Sequence, residues 1–194
     1  MIKDRVQALL KALNDTDDRI KKSASSSLER LESRASIPAL TDALKNPKPD
    51  VRIRAVYALG ETRDKKAIPV IFSALNDKDE YVRGAALRTI AGCWGEIKEP
   101  LSIEPVIAKL SDPNLSVREM AIEALGKIKA KEAAAPLLGL IANSEKNIKK
   151  AVVKALSNIG DKQAETALLS MLNDPKEEPD IKAEAALGLG ELEF

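Results

Sequence analysis

The residues best suited to chemistry are few. Acidic residues cluster in two segments, 14–18 (NDTDD) and 76–80 (NDKDE), and the chain has one cysteine, Cys93. Carboxylates can hold a hard cation, but neither segment has the glycine and the distal glutamate of a calcium loop. Helix capping by these side chains is the favoured interpretation. No cationic partner or histidine is evident beside Cys93, so an inert thiol is favoured over a nucleophile.

The composition excludes most other catalytic chemistry. None of the 194 residues is histidine, which removes His-based triads, His-ligated metals and His switches. The single cysteine excludes an internal disulfide and a four-cysteine zinc site. No phosphate-binding loop or dinucleotide fingerprint is present. We therefore expect no catalytic, cofactor-binding or metal-binding residues, and a protein that is not an enzyme.

The elements that must position any functional residue repeat along the chain. Two segments of 31 residues align without a gap, and four other segments fit the same frame, one with four extra residues and one with two. The sequence predicts a single domain, 1–194, built from six units: 6–36, 37–67, 68–102 with an insertion, 103–133, 134–164 and 165–194.

Each unit has the apolar pattern of two amphipathic helices. The first, helix A, is apolar at unit positions 1, 4, 5 and 8, and the second, helix B, at positions 15, 19, 22 and 23. This is the 3.6-residue period of a helix with one buried face. A single helical pair cannot bury that face, whereas stacked pairs can. The predicted fold is all-α: an α-solenoid of six helix-turn-helix units, with about twelve antiparallel helices.

Unit positions 14, 17, 18, 21 and 25 should point away from the core on the helix B side. Aromatic, arginine and methionine side chains, which are enriched in the cores of protein interfaces, gather there in units two to four. The predicted partner-binding residues are Ile53, Arg54, Tyr57, Tyr81, Arg88, Trp94 and Met120. The patch is centred on Tyr57, Tyr81 and Arg88. Simple packing is the competing interpretation, above all for Trp94.

The motif V-R-x-x-A-x-x-A-L-G occurs in full at residues 51–60 and 117–126. It resembles HEAT-like repeats and is most similar to the short subtype of phycobilisome bilin-lyase subunits. The resemblance implies a convex face of A helices and a concave face of B helices. It also implies a stacking ladder between loop acids and basic residues of helix B, here Asp77, Asp112 and Asp174 with Arg52, Arg83, Arg118, Lys149 and Lys182.

A non-enzymatic scaffold that binds another protein on the concave face is the leading functional hypothesis. A lyase-like or chaperone-type subunit acting on a tetrapyrrole-bearing protein is the alternative, implied by the resemblance. The net charge of +1 disfavours nucleic-acid binding. No apolar stretch is long enough to cross a membrane. We expect a cytoplasmic protein.

Charge is uneven along the chain. Residues 1–164 carry a net charge of +7, and residues 165–194 carry −6. Three lysines, Lys146, Lys150 and Lys154, share one helix face; a solvated surface and an anionic partner site are both open interpretations. Two interpretations of the acidic loop 174–180 remain open: a solubilising edge, and head-to-tail attraction between molecules. Three interpretations of the C-terminal end of the solenoid also remain open. It could be capped by Leu192 and Phe194, it could self-associate, or the chain could be part of a longer repeat array.

Overall fold

The computed structural model describes residues 15–96, 102–141 and 145–192, and a few positions before residue 15. The described part contains α-helices, short 3₁₀ turns and loops, and no β-strand. Its ten α-helices are α1 (Asp18–Ala43), α2 (Pro49–Glu61), α3 (Ala67–Ser73), α4 (Glu80–Cys93), α5 (Glu104–Ile107), α6 (Leu115–Ile128), α7 (Ala134–Ile141), α8 (Lys146–Ile159), α9 (Glu165–Asn173) and α10 (Pro179–Glu191). The all-α repeat architecture predicted from the sequence is confirmed.

The helices form two rows. The B helices α2, α4, α6, α8 and α10 each pack against the next B helix in the series. The A helices are shorter; α3 and α5 continue into 3₁₀ turns, Ala74–Asn76 and Ala108–Ser111. One continuous hydrophobic core runs between the rows, with Leu59, Ile90 and Leu125 fully buried at equivalent places. The core therefore fixes which face of each B helix remains on the surface.

The first two units differ from the sequence prediction. A loop was expected near residue 36, between helix B of unit one and helix A of unit two, but α1 is one uninterrupted helix of 26 residues with Pro38 inside it. Other B helices end at left-handed residues, Lys129 (φ 58°) and Gly160 (φ 70°). The equivalent residue of unit one is Glu32, and helix-compatible residues surround it, so no backbone signal stops the helix there.

Small residues set how closely neighbouring B helices approach. A Cβ built on Gly60 of α2 would lie 2.4 Å from Cγ2 of Thr89 on α4, and one on Gly126 of α6 would lie 2.8 Å from Cα of Ala155 on α8. Both glycines occupy unit position 24, and their partners occupy position 22 of the next unit. The absence of a side chain at position 24 therefore allows the helices to pack at short range.

The two acidic segments serve as helix caps where the structure describes them. The carboxylate of Asp17 accepts a hydrogen bond from the Arg19 N–H (2.8 Å), and that of Asp79 accepts from the N–H groups of Tyr81 (3.0 Å) and Val82 (3.2 Å). These bonds satisfy donors that a helix N-terminus leaves free. The capping interpretation is confirmed. Among the described residues, no group of three potential ligands could hold a metal ion.

The described helices also bear on the membrane prediction. None of them is both long enough and apolar enough to traverse a bilayer.

Candidate functional site: the surface of the B helices

One arginine of α2 and one of α4 each link two successive units. Arg83 donates from Nε and Nη2 to the two carboxylate oxygens of Asp112 at 2.8 and 2.7 Å. Its Nη1 also donates to the backbone carbonyls of Asp77 (2.9 Å) and Lys78 (3.3 Å). Arg52 makes the same bidentate contact with Asp77, at 2.8 and 2.7 Å. The planar guanidinium thus hydrogen-bonds both to the A–B loop of its own unit and to the A–B loop of the next unit.

These contacts confirm two rungs of the ladder that the family resemblance implies. The side chains of Arg83 and Asp112 are 11% and 3% exposed, so the pair is largely shielded from solvent. Burial raises the pKa of Asp112, but the hydrogen bonds from Arg83 and the Asn114 N–H and the nearby positive charges outweigh it, and the net pKa lies below its ordinary value. Asp77 behaves in the same way. These arginines are structural and are not available to a ligand.

The ladder prediction was wrong at the last rung. Lys149 forms its ion pair with Glu177 and not with Asp174, which is exposed and accepts a hydrogen bond from the Lys176 N–H instead (2.8 Å). The loop of unit six has two extra residues, and they bring a longer acidic side chain to the lysine. Arg118 fastens its own loop, with Nη1 2.8 Å from the carbonyl oxygen of Asp112.

The acidic loop of the last unit is more than a solubilising edge. Besides Glu177, its residues Glu178 and Asp180 form ion pairs with Lys146 (3.1 Å) and Lys150 (2.9 Å) of α8. The lysine row was open between a solvated face and an anionic partner site. Two of its three members are instead paired within the chain.

A groove between α2 and α4 brings two of the predicted binding residues together. Its volume is about 240 Å³, and Tyr57 and Arg88 both line it, with Glu61, Thr89 and Cys93 nearby. Tyr57 is 41% exposed, and Arg88 is exposed as well. An aromatic ring and a guanidinium at the edge of one groove can offer apolar contact and a charged hydrogen bond to the same ligand.

The other predicted residues divide into exposed and half-buried sets. Tyr81 is 69% exposed at the start of α4, outside the groove lining, and Arg54 is exposed on α2. Ile53, Trp94 and Met120 are half-buried and pack against the core. The last three therefore have structural roles, whatever else they contact, and packing is the supported interpretation for Trp94.

A second groove lies between α6 and α8; of its lining, the sequence pattern indicates only Lys154, as part of a possible anionic partner site. Its volume is about 670 Å³, and its lining includes Glu119, Glu123, Lys127 and Lys154. Residues at unit positions 17, 21 and 25 line it, which are positions expected to point away from the core. Unlike the surface of units two and three, this groove has no aromatic residue in its described lining. The signal that could have found it was the recurrence of position 21 itself.

Cys93 lies at the edge of the first groove and is half-buried. Its Sγ is 3.6 Å from the carbonyl oxygen of Ile90, one turn earlier in α4. This contact is a local one within the helix and leaves the expectation of an inert thiol unchanged.

Stacked helical pairs, an arginine–aspartate ladder between loops and grooves between successive B helices define an α-solenoid repeat protein. The family model for HEAT repeats matches residues 6–91, 37–105, 68–153 and 103–190. The chain belongs to the HEAT-repeat family.

One curated relative comes from Pseudanabaena tenuis (strain PCC 7409). It is described as an uncharacterized phycocyanin operon protein Z and is 29% identical over 92 residues, which is 47% of this chain and 44% of the relative. The match therefore spans less than half of the relative's length.

Solved structures show the same fold. A designed armadillo repeat protein in complex with the peptide (KR)4 is 19% identical, with a TM-score of 0.61 over 97% of this chain and 99% of the other. The complex of CpcE and CpcF of phycocyanin lyase from Nostoc sp. PCC7120 gives 21% identity and a TM-score of 0.53, over 95% of this chain and 76% of the other. At these identities, the likeness establishes fold alone.

Proposed function

We propose that this protein is a non-enzymatic scaffold that binds a segment of another protein on the surface of its B helices. The observation that carries the proposal is the groove between α2 and α4, where exposed Tyr57 and Arg88 lie together. Arg54 and Tyr81 extend the same surface, while Ile53, Trp94 and Met120 are half-buried and pack against the core.

Two further observations support this function over a catalytic one. The arginines with the strongest intramolecular hydrogen bonds, Arg52 and Arg83, hold the fold, whereas Arg88 is exposed beside an aromatic ring. The designed armadillo protein with the same fold holds a peptide. A rigid repeat surface with exposed aromatic and arginine side chains is suited to the same use.

The test is affinity capture from a lysate of the source organism. The wild-type chain is compared with a triple variant, Tyr57→Ala, Tyr81→Ala and Arg88→Ala. All three side chains are exposed, so the variant should remain helical by circular dichroism and lose the partner that the wild type retains. The matched control replaces three exposed residues beside and on α9 and should retain the partner: Lys162→Ala, Thr166→Ala and Leu169→Ala. Equal capture by both folded variants would refute this surface.

A second candidate is a subunit that acts on a tetrapyrrole-bearing protein. It is favoured by the similarity to the phycocyanin operon protein and to the phycocyanin lyase complex. It predicts a visible absorbance band in protein purified from its native source, or a spectral change when a free bilin is added. A colourless protein that leaves the bilin spectrum unchanged would count against it.

A further inference from the structure

Five of the six residues at unit position 21, those of units two to six, form a line across the surface of the B helices. They are Tyr57 on α2, Arg88 on α4, Glu123 on α6, Lys154 on α8 and Leu187 on α10. All five are exposed, Leu187 by 65%. Read along the solenoid, their order is apolar, positive, negative, positive, apolar. We call this set the position-21 line.

Four residues of this line border the two grooves between successive B helices. Tyr57 and Arg88 line the groove between α2 and α4, and Glu123 and Lys154 line the groove between α6 and α8. Leu187 continues the series on α10, which packs against α8. The side chain order is therefore displayed along one side of the molecule.

The three charged side chains of the line form no ion pair or side-chain hydrogen bond within the described part of the chain, although Glu61 lines the same groove as Arg88 and Lys127 the same groove as Glu123. On the same helix as Lys154, Lys146 and Lys150 are paired with loop acids. Around Arg88, positions 17, 18 and 25 of its unit are Gly84, Ala85 and Gly92. The guanidinium itself is exposed on the surface of α4.

We propose that the occupant of this surface is an extended polypeptide segment whose side chains alternate in charge in the complementary order. Packed helices lie about 8–10 Å apart. An extended chain in the polyproline II conformation advances about 3.1 Å per residue with three residues per turn, so every third side chain points the same way. Three residues of the segment thus span one unit. The complementary pattern is apolar, acid, base, acid, apolar, each three residues from the next, in a segment of about 13 residues. This pattern is the same in both chain directions, so it does not depend on the orientation of binding.

This inference rests on the proposed function and specifies the chemistry of its partner. It is tested by selection from a displayed library of random 13-residue peptides, with the full chain as bait. The expected result is enrichment of acid-x-x-base-x-x-acid. The bait Arg88→Glu, Glu123→Lys, Lys154→Glu should instead enrich base-x-x-acid-x-x-base, because all three charges are reversed.

Two synthetic peptides of equal composition then measure the effect by fluorescence anisotropy. One carries Glu, Lys, Glu at the three charged sites, and the other carries Lys, Glu, Glu; both have Leu at each end and Ser-Gly spacers. We expect the first to bind about tenfold tighter at low salt, since exposed ion pairs contribute modestly and two repulsions are avoided. The difference should shrink as ionic strength rises.

The outcomes separate the inference from the proposed function. Enriched peptides that need Tyr57 and Arg88 but share no spaced charges would overturn the charge pattern and leave partner binding intact. No enrichment, with the lysate partner still captured and still lost in the alanine variant, would overturn an extended ligand. Equal affinity of the two synthetic peptides would also overturn the inference.

Discussion

Replacement of Asp112 by asparagine should destabilise the chain far more than the same replacement at an exposed ion pair. In the native protein, Arg83 donates two hydrogen bonds to Asp112, whose side chain is 3% exposed. Breaking a buried pair by removing one partner costs about 3–5 kcal/mol. Asparagine keeps one acceptor oxygen, and Arg83 keeps its carbonyl contacts, so we expect a loss of about 2–3 kcal/mol.

The matched control is Asp42→Asn. Asp42 pairs with Lys45 at 3.1 Å, but the two side chains are 79% and 78% exposed. Exposed pairs of this kind contribute about 0.2–0.5 kcal/mol. Urea unfolding followed by circular dichroism, at fixed pH and salt, measures both changes, and thermal unfolding should show a drop of about 5–10 °C for Asp112→Asn alone.

Repeat proteins can unfold one region at a time, so the location of the effect is also informative. Hydrogen exchange should quicken first in α4 and α6, on either side of the broken rung. If Asp112→Asn and Asp42→Asn lowered the free energy of unfolding equally, within about 0.5 kcal/mol, the arginine–aspartate ladder would not be the main electrostatic link between units.

Three other perturbations test the contacts between neighbouring units. Both Asp77 and Asp112 have pKa values below the ordinary 3.8. The stability that these two carboxylates add is therefore complete above about pH 5 and is lost as the pH falls through the depressed pKa values. Urea unfolding at pH 7, 4 and 3 should show this loss of stability, and the Asp112→Asn variant should lose less. Gly60→Ala should cost about 1–3 kcal/mol in the same assay, because the new methyl group would meet Thr89 Cγ2, and Thr89→Ser in the double variant should recover most of the loss; additive losses would contradict this. Glu177→Gln should cost about 1–2 kcal/mol and speed hydrogen exchange in α10 before α2, since its ion pair holds the last unit; uniform exchange would contradict this.

The repeat pattern predicted the elements that recur in register. The apolar positions predicted the buried face of each B helix, and Leu59, Ile90 and Leu125 at position 23 lie in the core as expected. The same frame placed Tyr57 and Arg88 on the outer surface, where both line one groove. A property shared by equivalent positions is predictable because every unit must satisfy the same packing.

Features that depend on local departures from the repeat could not be predicted. The fusion of two helices into α1 depends on a missing stop signal, and the expected loop was carried over from neighbouring units. The contact between Lys149 and Glu177 depends on a two-residue insertion, which changes which carboxylate reaches the lysine. The half-burial of Met120 depends on the space beside Gly84, where a Cβ would lie 2.6 Å from the sulfur.

Site-specific photo-crosslinking tests directly whether a partner protein contacts the surface of the B helices. A photoreactive phenylalanine derivative is placed at Tyr57, which is 41% exposed, and in a second chain at Lys162, which is exposed beside α9. After irradiation in cells of the source organism, we expect an adduct with a second protein at position 57 and none at position 162. An adduct at position 162 alone, with both chains folded and equally abundant, would contradict this expectation.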